Sequence, residues 1–460
     1  MLDTVIRGGT VVTPTETYAA DVGIDDGRIA AVGSADAMPA ADETVDATGK
    51  LVLPGVIDPH VHIDDMFSFD SYESAGRAAA LGGTTTFIDF GWQPWVGDLS
   101  IFDEPGTPLD GVEYKLDRAE NPLVDFGLHC VLVRQEASTL EGIEDVIDAG
   151  VTTFKVFTAY EVGMDNGFMK RAFDAIADAG AVAMAHTEDP GVCDDRTDRF
   201  IEEGKGAPEW YPKSRPDYAE AMAAEDAARL AVEAGCRYYG VHTTNRKSVE
   251  VLAWLQDQYG PEQIRMETCT HYTTLDDSIF AEMGHLPMLA PPIRTPDDNE
   301  AMFEYLESGH LDVVSTDHCG YTVESKQVDN WWDSKFGANQ LQTSLPVFHD
   351  EAVNRRGYSY PFLVRVMCAN PARLFGLSNK GTLDPGKDAD VVVFDPDATY
   401  TITAEDNAGV ADFTLYEGRE VTGRVEKTFV RGELVADDGE VVGEPGHGRF
   451  VERDDPDWSG

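Results

Sequence analysis

His60 and His62 stand two residues apart in Gly55-Val56-Ile57-Asp58-Pro59-His60-Val61-His62, at the end of a short apolar run. On an extended strand, side chains i and i+2 point to the same side, so both imidazoles can ligate one metal ion. His186, His242 and Asp317 each close a further apolar run, Asp317 within Ser315-Thr316-Asp317-His318-Cys319. One histidine at a strand end is usually a polar residue meeting solvent. Four of them with an aspartate, in a chain of only 11 histidines, are poorly explained by chance. Lys155 is the next oddity, flanked by bulky apolar residues in Thr153-Phe154-Lys155-Val156-Phe157. A lysine there can snorkel or pair with a carboxylate. An ammonium facing two divalent cations would be repelled, so a metal site calls for the neutral amine that burial favours. That amine can add carbon dioxide to become a carbamate, an anion with one oxygen for each metal.

These residues need a scaffold that brings distant strand ends together. Eight apolar runs occur in the middle of the chain, at 56–57, 84–88, 127–133, 153–157, 181–185, 237–241, 264–268 and 311–315. Helical patterns lie between them, at 72–80, 142–149, 169–179, 218–234, 248–258 and 298–306. Eight strand–helix units predict an α/β fold, a (β/α)8 TIM barrel, whose catalytic residues sit at the C-terminal ends of the strands. The first fifty residues instead alternate short β-rich runs with Gly/Asp turns, and the same texture returns after Gly381. A small β-sandwich assembled from both chain ends is expected, with residues 1–52 and 378–460 flanking a barrel over 53–377.

Composition narrows the partners. The 460 residues include 84 Asp+Glu against 35 Lys+Arg, a net charge of −49. Such a surface repels phosphate backbones and anionic lipid, which argues against nucleic acid or membrane. No run of like charges forms a tail, so the acid is spread over a folded surface. Self-repulsion of this size is tolerable where salt shortens the Debye length to ~3 Å at 1 M, and a salt-loving source is expected. Six isolated cysteines without a CxxC pair read as reduced thiols. The N-terminus has no secretory pattern, and the expectation is a soluble cytoplasmic protein.

Taken together the motifs resemble the cyclic amidohydrolases of the hydantoinase/dihydropyrimidinase family, from end to end of the chain. The resemblance is carried by residues 55–62, Gly82-Gly83-Thr84-Thr85-Thr86 and Phe154-Lys155-Val156-Phe157-Thr158-Ala159-Tyr160. It continues in Thr316-Asp317-His318-Cys319, in Asn370-Pro371-Ala372-Arg373-Leu374-Phe375-Gly376-Leu377 and in 381–390. It implies two divalent metal ions, usually Zn2+. His60, His62 and Asp317 would hold the first and His186 and His242 the second, with carbamylated Lys155 bridging them. A bridging hydroxide would attack the amide carbonyl, with Asp317 as proton carrier and Tyr160 donating to the oxyanion. The bland alternative for Tyr160 is a rim tyrosine packed on the barrel mouth.

The resemblance further implies ring opening of 5,6-dihydropyrimidines or 5-monosubstituted hydantoins to N-carbamoyl amino acids. Family members hold the ring at a Ser-Pro-Pro turn, here Ala290-Pro291-Pro292, and at an asparagine for which Asn339 is the candidate. The run Leu341-Gln342-Thr343-Ser344-Leu345-Pro346 resembles allantoinases, which remain the nearest alternative. Dihydroorotases place an arginine two residues after the second histidine, where this chain has Asp64. A non-catalytic scaffold relative would have lost metal ligands, and all six candidates are present. The segments 65–69 and 91–95 are expected to line the pocket for the ring substituent, the alternative being a subunit interface. Relatives form tetramers, sometimes dimers, and a homotetramer that loosens at low salt is expected.

Overall fold

The computed structural model of the chain describes residues 1–459. The eight apolar runs form parallel strands β1 (Val56–Asp58), β2 (Thr84–Trp92), β3 (Asp125–Val131), β4 (Thr153–Phe157), β5 (Val182–His186), β6 (Arg237–Gly240), β7 (Ile264–Cys269) and β8 (Val313–Ser315). Each is hydrogen-bonded to the next in chain order. All nine residues of β2 and all seven of β3 are buried. That is why these strands read as continuous apolar runs, since helices cover a parallel sheet on its outer face.

Helices return the chain between strands. The longest, Asp217–Ala234, is built on alanine, the best helix former, and buries Ala219, Ala223, Ala224, Ala227, Ala228 and Ala231. Such small side chains let it lie close to the barrel. Gly235, in the left-handed conformation at φ 66°, stops it and turns the chain into β6.

The barrel closes at its C-terminal rim. β1 and β8 lie at opposite ends of the hydrogen-bonded order, and the seam between them is bridged just beyond both strands. There Val61–His62 pairs in parallel with His318–Cys319. Below that ladder, Thr316 donates from Oγ1 to Asp58 Oδ2 (2.6 Å) and from its amide to Oδ1 (3.2 Å).

Both chain ends build the second layer. One mixed sheet runs in the order Glu440–Val441, Glu433–Asp437, Glu420–Val430, Val391–Thr401, Leu51–Pro54, Thr10–Val12, Thr17–Ala19. A four-stranded sheet of Arg28–Gly33, Asp21–Asp25, Leu2–Arg7 and Ala41–Asp46 comes from the N-terminal end alone. Ile6, Val22 and Ile24 of the smaller sheet share one apolar core with Val52, Val391 and Phe429 of the larger. Leu51–Pro54 continues through Gly55 straight into β1.

The last residues leave the sandwich and cross under the barrel. Val451 donates to the carbonyl of Phe126 (2.7 Å) and Arg453 to that of Gly150 (3.1 Å). Trp458 is buried against Ile57, Val182, Met184 and Tyr239 at the barrel floor, its indole donating to Leu374 O (3.0 Å). An ionic joint holds sandwich to barrel. Lys380 Nζ reaches Asp390 (2.6 Å), Asp125 (2.8 Å) and Asp388 (3.5 Å), all buried.

Removing that ammonium would strip buried Asp390 of its cation, while Arg431 stays on Asp125 and Arg28 on Asp388; breaking a buried pair typically costs ~3–5 kcal/mol. Lys380→Met is expected to lower the denaturation midpoint by a loss of that order. An unchanged midpoint in equilibrium denaturation would show that the joint carries no stability.

Candidate metal centre and active site

Three backbone features aim side chains into the mouth of the barrel. His60 and His62 lie where β1 runs out into the seam, and Asp317 sits between β8 and the other half of the seam. Lys155 is the central residue of β4, and His186 is the last of β5. His242 follows β6 with φ 37°, Asp317 has φ 51° and Tyr160 has φ 66°. Left-handed backbone is costly for residues other than glycine, and such strain gathers at functional sites.

The six candidate ligands converge. Asp317 Oδ1 lies 3.4 Å from His60 Nε2 and 3.6 Å from His62 Nε2. Lys155 Nζ is 3.4 Å from the same His60 nitrogen. His186 Nδ1 and His242 Nε2 are 2.9 Å apart, and the rings of His60 and His242 have centroids 5.2 Å apart. All six line one cavity of about 300 Å³.

Carboxylates hold the outer nitrogens of three of these imidazoles. His60 Nδ1 is 2.6 Å from Glu267 Oε1, His62 Nδ1 is 3.4 Å from Asp65 Oδ2, and His186 Nε2 is 3.0 Å from Glu188 Oε2. Such partners fix ring orientation and raise ligand basicity. Burial, aided by nearby cationic groups, holds His60 and His242 well below the ordinary histidine pKa and lowers His186 as well. Neutral imidazoles are what a metal requires. Burial also brings the Lys155 amine down to about 8, against the pull of Asp317 and Glu267.

The donor set fits divalent metal ions: neutral, oriented imidazoles, a carboxylate and a buried amine with aromatic walls. His60, His62 and Asp317 offer ligand atoms all within 4.8 Å of one another. Asp125, Asp388 and Asp390 do the same at the sandwich joint, but there Lys380 already supplies the cation.

Tyr160 stands at the mouth, its ring beside His186 and its hydroxyl donating to Glu188 (2.9 Å). The Arg215 guanidinium covers that ring at 4.8 Å and pairs with Glu188 at 2.8 Å. Ala290 lines the cavity. Asn339 does not. It borders a separate small cleft with Gln342, Thr343 and Tyr400, and its side-chain oxygen is buried. Cys319 donates its amide to Ala338 O (3.0 Å), and the neighbouring Gly337 lines the cavity wall.

Outside the ligands the wall is mostly apolar, with Ser334, Lys335 and the hydroxyls of Tyr160 and Tyr321 as its polar members. Met66 and Phe67, Trp92 and Trp95, Phe157 and Phe336 surround the space above the ligands. Trp92 and Trp95 are buried within their own chain, which leaves them no part in a subunit interface.

Residues 51–435 match the Amidohydrolase family. The chain belongs to that family. This amidohydrolase is 35% identical to the D-hydantoinase of Streptomyces coelicolor over 472 residues, covering 98% of each chain. It is 32% identical to the allantoinase of Salmonella choleraesuis, again over 98% of both. Among solved structures, the dihydropyrimidinase from Brevibacillus agri superposes with a TM-score of 0.93 at 30% identity, covering 99% of each chain. The L-hydantoinase (dihydropyrimidinase) from Arthrobacter aurescens gives 0.90 at 32% identity, covering 98% of this chain and 100% of that one.

The supporting carboxylates are the functional residues that motif reading passes over. Glu267 is the most consequential, because it also accepts from Tyr239 Oη (3.1 Å) and from the amide of His242 (3.3 Å). A glutamate fully buried within the barrel strand Ile264–Cys269, beside Met266, is the signal that marks it. Loss of such a partner typically weakens metal binding ~10–100-fold. Glu267→Gln is therefore expected to lose about tenfold in zinc affinity, read by titration against a competing chelator. Unchanged affinity would remove Glu267 from the metal site.

Proposed function

We propose that this amidohydrolase opens cyclic amides, 5,6-dihydropyrimidines or 5-monosubstituted hydantoins, to N-carbamoyl amino acids. The observation that carries this reading is the convergence of four histidines, Asp317 and Lys155 beneath an apolar chamber. Two divalent ions held by these residues would supply a water-derived nucleophile at neutral pH and polarise the scissile carbonyl. His60, His62 and Asp317 are the proposed ligands of one ion and His186 and His242 of the other, with Lys155 shared.

The remaining chemistry falls to the chain's own groups. Asp317 is the only carboxylate among the described residues lining the cavity, which supports it as the base that takes the attacking water's proton. The same proton then passes from Asp317 to the leaving amide nitrogen. Tyr160 donates to the oxygen that gains charge. Tyr160 is 38% exposed, but its hydroxyl end is enclosed; that enclosure, with Glu188 alongside, pushes the phenol well above the ordinary value against the pull of Arg215, so it stays protonated as a donor. The aromatic wall excludes water and receives the ring substituent. Ala290, which lines the cavity, and Asn339, which borders the neighbouring cleft, are the proposed main-chain contacts of the ring.

Finer features belong to the same reading. Zinc suits a site rich in histidine. A carbamate on Lys155 is supported by an amine that burial has brought to about 8 and that has His60 as its hydrogen-bonding neighbour. A homotetramer is supported by Tyr218, Met222 and Trp254, apolar side chains left exposed on neighbouring helices. Dilution from molar salt is expected to loosen it, and a light-scattering mass that stays tetrameric on desalting would contradict that. The charge of −49 supports a salt-rich cell interior, and six buried free thiols support the cytoplasm. Allantoin is the second candidate substrate, because allantoinases are among the relatives. Its polar ureido group matches the chamber less well than an apolar substituent does.

The decisive assay is ring opening in molar KCl with zinc and bicarbonate, on dihydrouracil, a 5-monosubstituted hydantoin and allantoin. The first two are expected to turn over, and Lys155→Ala to abolish turnover. Tyr160→Phe should cost about a hundredfold in kcat, the usual worth of one oxyanion donor. Turnover of allantoin alone would transfer the assignment to allantoinase, and turnover of none would overturn the choice of ring.

A further inference from the structure

Two loops form much of the chamber wall. One follows Trp92, the last residue of β2, and contributes Trp95 and Leu99; the other follows Phe157, the last residue of β4, and contributes Tyr160 and Val162. Residues 96–99 of the first loop are exposed and belong to no helix or strand, so water would satisfy their backbone amides were no protein acceptor at hand. The acceptor is Glu161, the residue next to Tyr160. Its Oε1 accepts from Trp95 Nε1 (3.0 Å) and from the amide of Leu99 (2.8 Å), and its Oε2 accepts from the amide of Asp98 (2.9 Å). Gly97 makes room for it: a Cβ at that position would lie 2.5 Å from Glu161 Oε1.

We propose that Glu161 is a positioning residue for substrate selectivity, a latch joining the tryptophan loop to the loop of Tyr160. The inference rests on the proposed ring-opening function and goes beyond it by assigning how the substituent is selected. Three donors on one carboxylate make a charge-assisted set, stronger than the neutral bonds that usually order a surface turn. One of those donors is the indole of Trp95, so the latch fixes a side chain of the chamber as well as the loop backbone. Tyr160 is held on the opposite side by Glu188. The two loops therefore keep one spacing, and the wall meets a bulky ring substituent without first paying the entropy of ordering.

Glu161 touches neither the reacting carbonyl nor the proposed ligands. Its loss should fall on substrates that reach the wall, and on their binding. The test is Glu161→Ala holoenzyme on 5-benzylhydantoin and on unsubstituted hydantoin. For the benzyl substrate KM is expected to rise about tenfold, the scale on which apolar pockets discriminate, with kcat held within about twofold. Hydantoin should shift far less in KM. Glu161→Gln keeps an oxygen for Trp95 Nε1 and Leu99 N and should recover most of the loss. Equal losses on both rings, or a loss confined to kcat, would overturn the proposal and point to a disturbed Tyr160.

A second readout is independent of turnover. Amide hydrogen exchange at Asp98 and Leu99 should be slow in the wild type and fast in Glu161→Ala. Unchanged exchange would overturn the latch even in an active enzyme. Failure of the wild type to open either ring would overturn the ring assignment while leaving the exchange result to decide the latch.

Discussion

Everything at the mouth depends on how the barrel seam is closed. β1 and β8 are too short to pair along their length, and the joint is made beyond them by Val61–His62 against His318–Cys319. The buried Asp58 carboxylate locks the same joint from below by accepting twice from Thr316. His60, His62 and Asp317 are therefore residues of the seam itself. Opening the seam would separate these three candidate ligands from one another. A cation bound across it would tie β1 to β8 in return and couple metal binding to the fold.

A contrast between two buried lysines shows how one residue type is put to opposite uses. Lys380 lies among three carboxylates and acts as a fixed cation between barrel and sandwich. Lys155 lies between the rings of Phe90 and Phe157 with an imidazole nitrogen for company, and burial dominates its chemistry. Acidic side chains are divided in a similar way. Most cover the surface, whereas Glu267, Asp65 and Glu188 sit behind the histidines and orient them.

The barrel was legible because parallel strands buried on both faces leave unbroken apolar runs, and all eight runs correspond to strands. Polar helices left weaker traces. Pro190–Glu202 buries only Cys193 and Phe200, too few to set a period; Pro108–Arg118 buries positions 108, 111, 112 and 115 at helical spacing, but they are Pro, Gly, Val and Lys, a weak apolar signal. Residues at strand ends could be picked out as site candidates, since the fold dictates where such ends meet. Their supporting carboxylates could not: Glu267 lies 207 residues from the histidine it holds. The pairing of Ala338 with Cys319, beside Gly337 in the cavity wall, is a long-range feature that nothing local to 337–342 announces. The crossing of residues 450–458 beneath the barrel is of the same long-range kind.

The shared sheet has a bearing on synthesis. Leu51–Pro54 emerges early from the ribosome, yet its antiparallel neighbour, Val391–Thr401, is translated only after the whole barrel. In the interval, Thr10–Val12 and Leu51–Pro54 present an apolar strand edge, a template for joining another chain. Polysomes bring many copies at that stage together. The negative charge carried along every nascent chain supplies the repulsion that keeps those waiting edges apart.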